Sequence, residues 1–443
     1  MHIELPPYIE YAIDTLRQNG FDAYAVGGCV RDSILGAIPK DWDIATGATP
    51  PEICEVFAGY KTLLHGVKYG TVAVLFGDVS VDITTFRADG AYTDNRRPDE
   101  VRFTRNLRDD LMRRDFTINA LAYSHDSGIV DCFSGRTDMA QKIIRCVGIP
   151  EERFGEDALR ILRALRFASV LSFCVEERTA SAIHYLKHSL KNIASERVCA
   201  ELSGILSGNG NSAAAVLTEF SDVIRVLIPE LSGAAGDWGF IARAIAQSPQ
   251  DLALRLALLL REASGGAGAG DIVCGILRRL RFKNEIIDDV TALVQNQDAD
   301  ICGGSVAIKR LLNRLGEKRL KLLLQMRRLI IISLTSEDQM AFRLPEDPTS
   351  SQLHEAQTAP GLSRDIDAAE CMISGIIKRG ECYSLNHLEI NGRDLMAIGF
   401  KPGKQLGTAL NILLEQVMAQ DSLNERDTLT HLAESLLKTG AKQ

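Results

Sequence analysis

The chain has 443 residues, 46% of them apolar, and a formal net charge of −8; that length exceeds one compact core and sets an expectation of two to four domains. No window reaches the ~18 uninterrupted apolar residues of a membrane span, and the opening MHIELPPYIE has neither the basic nor the apolar region of a secretory signal. The acidic balance argues against non-specific polyanion binding, and ten cysteines scattered singly, with no CxxC pair, read as buried thiols in a reducing cytosol rather than as structural zinc ligands.

In chain order, the first ~140 residues read as mixed α/β and nearly everything beyond them as helix. AYAV (23–26) is a short apolar strand that runs into Gly27-Gly28, after which VRDSIL forms a short helix stopped by Gly36. DIA, TVAVLF (71–76) and VSVDITTF (79–86) are β-branched strands, the last two joined through the Gly77-Asp78 turn. Between the first strands lies DWDIAT. Residues i and i+2 of a strand share a face, so Asp41 and Asp43 are expected to converge. On residues alone they are either a solvated strand end or a site for a hard divalent ion, Mg²⁺ above all, with phosphates attached. Asp82 is a third strand carboxylate that either completes such a set or points outward. The Gly27-Gly28 turn opens a helix N-terminus suited to an anion, and Arg31 sits in its first turn, where the dipole disfavours a cation unless an anion binds.

YAVGGCVRDSILGAIPKDWDIATGATP resembles the signature of class II tRNA nucleotidyltransferases and their bacterial poly(A) polymerase relatives, within the DNA polymerase beta superfamily. The resemblance implies that Asp41 and Asp43 bind catalytic metals, with Gly28 and Arg31 on the incoming nucleotide. The next block, Thr85 to Tyr123, holds Arg114 and Asp115 four residues before Asn119, donors and acceptors fit for phosphate and ribose. The alternative is capping at the start of a helix such as FTINALAY. The resemblance makes RRDFTINA a sugar-recognising motif, and DGAYTDNRRPDEVRF resembles the flexible loop of enzymes that add the terminal A.

EDALRILRALRF (156–167) has helical period, with Ala158, Ile161, Leu162 and Leu165 on one face and Glu156, Asp157, Arg160 and Arg163 opposite. An ion-paired surface helix is the plain reading. The chemical reading is complementarity: a carboxylate beside a guanidinium matches the amino donor and ring-nitrogen acceptor that cytosine and adenine share. Uracil and guanine would leave the carboxylate facing a carbonyl, an unpaired acceptor worth roughly 1–3 kcal/mol. The resembled family uses this motif so, with Glu156 orienting the set and Arg163 and Arg166 toward phosphate or ribose. His125-Asp126 in SHDSG reads as a hairpin turn. SGRTDM (134–139) resembles the hinge between head and neck in this family, with Met139 in place of its usual Leu. Further breaks fall at SGNGNS (207–212), SGGAGAG (264–270) and the polar stretch 345–365, read as a loop or linker. Lys309 to Arg328 holds eight Lys or Arg and one acid, Glu317, and NGRDLMAIGFKPGKQLG near the end resembles a bacterial tail motif.

Together these readings set the expectations. The fold is an α+β DNA polymerase beta-like nucleotidyltransferase head (1–140), then an elongated all-α neck (141–212), body (213–335) and tRNA-binding tail (336–443). The resemblance implies two-metal addition and repair of the 3′-terminal CCA of tRNA from CTP and ATP, with Mg²⁺ on Asp41 and Asp43, in the cytoplasm and with no membrane or obligate protein partner. A poly(A) polymerase, an A-only adding enzyme and a non-catalytic RNA-binding protein are the alternatives.

Overall fold

A computed structural model describes residues 2–89, 101–232, 238–263, 268–335 and 350–440. The chain divides into two compact units, Met1–Ser232 and Gly233–Gln443.

The first unit opens on α1 (Pro7–Gln18), whose buried Ile9, Ala12, Ile13 and Leu16 follow the helical period and face β1 (Ala23–Val26). Gly27, at φ 82°, turns the chain into α2 (Gly28–Ile34). Then come β2 (Asp43–Thr46), α3 (Pro50–Val56), β3 (Lys61–Gly66), β4 (Thr71–Phe76) and β5 (Val79–Thr85). Thr49 and Glu52 close a capping box on α3. A short antiparallel pair, β6 (Arg87–Asp89) with β7 (Val101–Phe103), precedes α4 (Leu107–Met112), β8 (Leu121–Ser124) and β9 (Gly128–Asp131). The main sheet has the order β3-β4-β5-β2-β1-β8-β9 and is antiparallel except where β2 lies parallel to β5. Ile44 and Ile83, register partners on those two central strands, are fully buried.

From there the unit is helical: α5 (Gly135–Gln141), a two-residue parallel pair of β10 (Ile143–Ile144) and β11 (Cys174–Val175), α6 (Pro150–Glu156), α7 (Leu159–Leu171), α8 (Glu177–Leu186), α9 (Ser195–Leu206), α10 (Gly210–Glu219) and α11 (Ser221–Leu227). The second unit is helical among its described residues, comprising α12 (Trp238–Ala246), α13 (Leu252–Leu260), α14 (Ala269–Arg279), α15 (Asn284–Gln295), α16 (Gly304–Thr335), α17 (Ser350–Arg379), α18 (Gly392–Ile398), α19 (Lys404–Ala419) and α20 (Arg426–Gly440). Gly316, at φ 75° and ψ 166°, kinks α16. Gly399 and Gly403, at φ 117° and 111°, bound the turn between α18 and α19. These last helices share a core that includes Leu395, Phe400, Leu413 and Val417.

Four expectations are corrected. Strand β2 begins at Asp43, so Asp41 lies before it; β1 ends at Val26, the register partner of Asp43, and leaves residue 41 no antiparallel neighbour. FTINALAY is not a helix: Thr117–Asn119 forms one 3₁₀ turn and Leu121–Ser124 joins the sheet as the second neighbour of β1. EDALRILRALRF is not one helix either, because Asp157 is extended (φ −140°, ψ 101°) and its Oδ1 accepts from Leu159 N at 3.1 Å, which separates α6 from α7. The linker over 345–365 is shorter than expected, since α17 starts at Ser350 in a run rich in Gln, Glu, Leu and Ala, good helix formers. The flexible loop expected over 89–103 falls mostly on 90–100, outside the described residues, as do 264–267 of SGGAGAG. The hairpin turn at His125-Asp126 and the break at 207–209 are where they were predicted.

Candidate active site

The site forms where β1 ends and β2 begins, beside the middle of β5. Asp43 and Asp82 are register partners on parallel strands, so their side chains leave the same face of the sheet on strands about 4.8 Å apart. The alternate residues Ile44 and Ile83 anchor the other face in the core. Asp41, Asp43 and Asp82 are all exposed. Crowding by surrounding protein pushes the Asp43 carboxyl above its ordinary range; the Arg114 guanidinium opposes that rise, and the negative charges of Asp82 and Asp41 add to it. Repulsion among hard oxygen donors is the electrostatic signature a divalent cation relieves, so Asp41 and Asp43 fit the group the fold implies. Among the described residues, however, no three His, Cys, Asp or Glu side chains assemble in metal-holding geometry. Asp82 stands across from Asp43 on the neighbouring strand.

Arg114 lies beside the Gly-Gly turn. Gly27's positive φ of 82° calls for glycine, and a Cβ there would stand 2.7 Å from Arg114 Nη1 and displace that guanidinium. Arg114 also reaches Asp110 at 3.3 Å. Arg31 is 9% exposed; its Nη1 donates to Asn119 Oδ1 at 2.6 Å and its Nε to Asp32 at 2.8 Å. Gly28 begins α2 with no side-chain cap on its first turn. The structure thus brings Gly28, Arg31, Arg114 and Asn119 together beside Asp43.

Asp115 is buried. Its Oδ1 accepts from Phe116 N at 2.8 Å and Asn119 Nδ2 at 3.1 Å, while its Oδ2 pairs with Arg163 at 2.7 Å. Burial by itself raises this carboxyl, but Arg163, Asn119 and the Phe116 N–H outweigh it and hold the group below the usual carboxylate range. With its oxygens so engaged, Asp115 fixes the positions of Arg163 and Asn119 instead of standing open to a ribose hydroxyl.

The base-reading residues are present but partnered differently from the predicted pairing. Arg160 Nη1 pairs with Glu156 at 2.7 Å and Nη2 donates to the Arg113 carbonyl at 3.0 Å. Asp157 pairs with Arg197 of α9 at 2.9 Å. Asp157 and Arg160 are neighbours through the backbone, Arg160 N donating to the Asp157 carbonyl at 3.0 Å, while their side chains take separate partners. Arg166 pairs with Glu201 at 2.6 Å. Arg197 and Glu201 escaped the sequence reading because they lie on another helix; the signal was their i,i+4 spacing in SERVCAEL, which places both on one face of α9.

The basic run in α16 is mostly consumed within its own unit. Lys309, 3% exposed on its side chain's residue scale, pairs with Glu381 and Asp421; Arg310 pairs with Glu415, Lys318 and Arg319 with Asp289, Lys321 with Glu317, and Arg328 with Asp367 and Glu370. Arg327 donates to the Gln297 and Ala299 carbonyls. Of the eight cations, Arg327 and Arg314 have no ion pair among the described residues, and Arg327 is held by carbonyls; the run is therefore a largely neutralised helix face.

A mixed sheet that places facing carboxylates beside a glycine-opened helix, with arginines around them, defines a nucleotidyltransferase head. Residues 23–145 match the family model of the poly A polymerase head domain, 172–234 that of a probable RNA and SrmB-binding site of polymerase A, and 349–433 that of tRNA nucleotidyltransferase domain 2. The CCA-adding enzyme of Limosilactobacillus fermentum is 34% identical over 452 residues, covering 99% of this chain and 100% of that one. The chain belongs to the CCA-adding enzyme family. A stronger local match, 48% identity over 202 residues to the CCA-adding enzyme of Oceanobacillus iheyensis, covers 46% of this chain and 50% of that relative, so the chain spans about half the length of relatives matched in this way. The crystal structure of the Bacillus stearothermophilus CCA-adding enzyme in complex with CTP superposes with a TM-score of 0.72 at 28% identity, covering 99% of this chain and all of the other.

Proposed function

We propose that this protein adds and repairs the 3′-terminal CCA of tRNA, using CTP and ATP without a nucleic-acid template and releasing pyrophosphate. The observation that carries the reading is the registered pair Asp43 and Asp82 beside Arg114 and the Gly27-Gly28 turn, in a chain that aligns end to end with a CCA-adding enzyme. The solved relative is a complex with CTP, which supports the choice of substrate. Asp41 and Asp43 are the residues to hold Mg²⁺, which when bound supplies charge neutralisation and lowers the pKa of the attacking hydroxyl. Asp82 faces that pair and tunes its charge. The Gly28 N–H at the start of α2 and the guanidinium of Arg31 bind and orient the triphosphate, with Arg114 placed by Gly27 to add a further donor. Asp115 and Asn119 hold Arg163 and Arg31 in register for the nucleotide, and Arg166, set by Glu201, lies in the same group. Asp157, steadied by Arg197, accepts from the exocyclic amino group that cytosine and adenine share. Arg160, steadied by Glu156, donates to the adjacent ring nitrogen. Uracil and guanine place a carbonyl against the carboxylate and are rejected.

The same reading divides the chain into a catalytic head (1–140), a neck carrying the base-reading helix (141–212), a body (213–335) and a tRNA-binding tail (336–443). No described helix is long and apolar enough to cross a membrane, and all ten cysteines are free thiols, which supports a place in the reducing cytoplasm. The head matches a poly A polymerase model, and this favours a poly(A) or A-only enzyme as the second reading. Product lengths on tRNA lacking CCA separate them. Complete CCA requires both nucleotides; long A tails from ATP alone identify the polymerase, a single A added only to tRNA ending in CC identifies the A-only enzyme, and no incorporation identifies a non-catalytic RNA binder.

A further inference from the structure

Three guanidinium groups surround one aromatic ring. The Cζ atoms of Arg31, Arg163 and Arg166 lie 5.1, 5.3 and 4.5 Å from the centroid of Phe167, all inside cation–π range. Phe167 is 7% exposed and is braced edge-on by the fully buried Phe116, 5.8 Å away at 80°. The arginines come from two separate elements: Arg31 from α2, Arg163 and Arg166 from α7. A polar chain joins two of them, running Arg31–Asn119–Asp115–Arg163, and Phe167 closes that chain into a circuit. Gly204 of α9 leaves the room for Arg166, because a Cβ there would collide with its side chain.

Like charges repel at this spacing, and the three arginines share three acids: Asp32 pairs with Arg31, Asp115 with Arg163, and Glu201 with both Arg166 and, at 3.9 Å, Arg163. Those acids already balance the formal charge, and further carboxylates would occupy the guanidinium N–H donors that an anionic ligand needs. An aromatic face attracts cations without neutralising them. We propose that Phe167 is a positioning residue for the nucleotide's anionic groups, gathering the guanidinium groups of Arg31, Arg163 and Arg166 into one array of N–H donors before the substrate arrives. The inference rests on the nucleotidyl-transfer reading above and deepens it: the ring prepares the site, the arginines touch the ligand.

Phe167→Leu keeps an apolar side chain and removes the ring. It is expected to raise KM for CTP and ATP roughly 3- to 30-fold, the range set by losing such contacts, with kcat changed less than about twofold, the pattern of lost uniform binding. Phe167→Tyr keeps the ring face and restores KM to within about twofold of wild type. Phe116→Leu loosens the same core without touching a guanidinium, and its KM stays near wild type whatever its Tm. The inference is overturned if Phe167→Leu leaves KM unchanged, if Phe167→Tyr fails to rescue, or if Phe116→Leu raises KM equally. CTP binding measured by calorimetry without tRNA keeps the two readings apart. Should the wild type bind CTP but transfer nothing, the activity reading falls, while the ratio of Kd between wild type and Phe167→Leu still decides the inference.

Discussion

At the scale of single residues, Asp43 shows position working against stability and for chemistry. Its folded carboxyl is raised by crowding and by Asp82 and Asp41, so the native state binds the proton more tightly than the unfolded chain, and stability falls as pH rises through that range. At neutral pH the ionised group is a liability that an uncharged isostere removes. Asp43→Asn is therefore expected to raise Tm slightly while lowering turnover by more than about 100-fold, the upper loss seen when even an outer-shell metal partner is removed; a lower Tm in thermal melts contradicts the electrostatic argument. Arg197 offers a second test. Its pair with Asp157 is the one strong ion pair on that carboxylate, and removing it frees the side chain to rotate. Arg197→Ala is expected to admit UTP at roughly 10-fold or more above wild type, since each mispaired polar contact is worth about 1–3 kcal/mol. Competition of UTP against CTP in single-addition assays reads this, and unchanged discrimination shows that Arg197 only props the helix.

At the scale of elements, the tie between α7 and the turn at residues 117–119 runs through Asp115. Its carboxyl is depressed in the folded protein, so its contribution is complete above the unfolded value of about 3.9 and is lost as pH drops through the folded value below that. Asp115→Asn leaves Arg163, one-third open to solvent, without its partner and is expected to cost about 1–3 kcal/mol at pH 7. The gap in Tm between wild type and variant should close below about pH 4; a constant gap shows that packing, not the ion pair, holds α7. Elements with strong local signals were legible: the strands expected at 23–26 and 71–76 have those bounds, the one expected over 79–86 ends one residue earlier at Thr85, and the turn expected at His125-Asp126 is present. FTINALAY was not, because its apolar run suits a helix or a strand equally, and only the vacant edge of β1 decides for the strand.

At the scale of the whole molecule, the net charge of −8 argues against a general polyanion surface, and most of the cations in the run on α16 lie in ion pairs within their own unit. Lys309 is expected to matter for folding. Lys309→Met removes the buried cation that joins Glu381 and Asp421, while Arg379 still holds Glu381, and should destabilise by about 1–3 kcal/mol in denaturant titration. Arg314→Ala should stay within about 0.5 kcal/mol of wild type yet reduce the salt slope of tRNA binding by about 1. Equal losses of stability in the two variants would contradict the division. Residue types and spacing by themselves determined that the chain has a small α/β head and that the remainder is helical, because these signals are local and periodic; that Asp41, Asp43, Arg31 and Arg114 share a site was implied only by the family resemblance. Which acid holds which arginine was decided only by tertiary structure: Asp157 takes Arg197, Arg160 takes Glu156, and Phe167 gathers three cations. A side chain's charge is written in the sequence, but its partner is chosen by whichever helix packs against it.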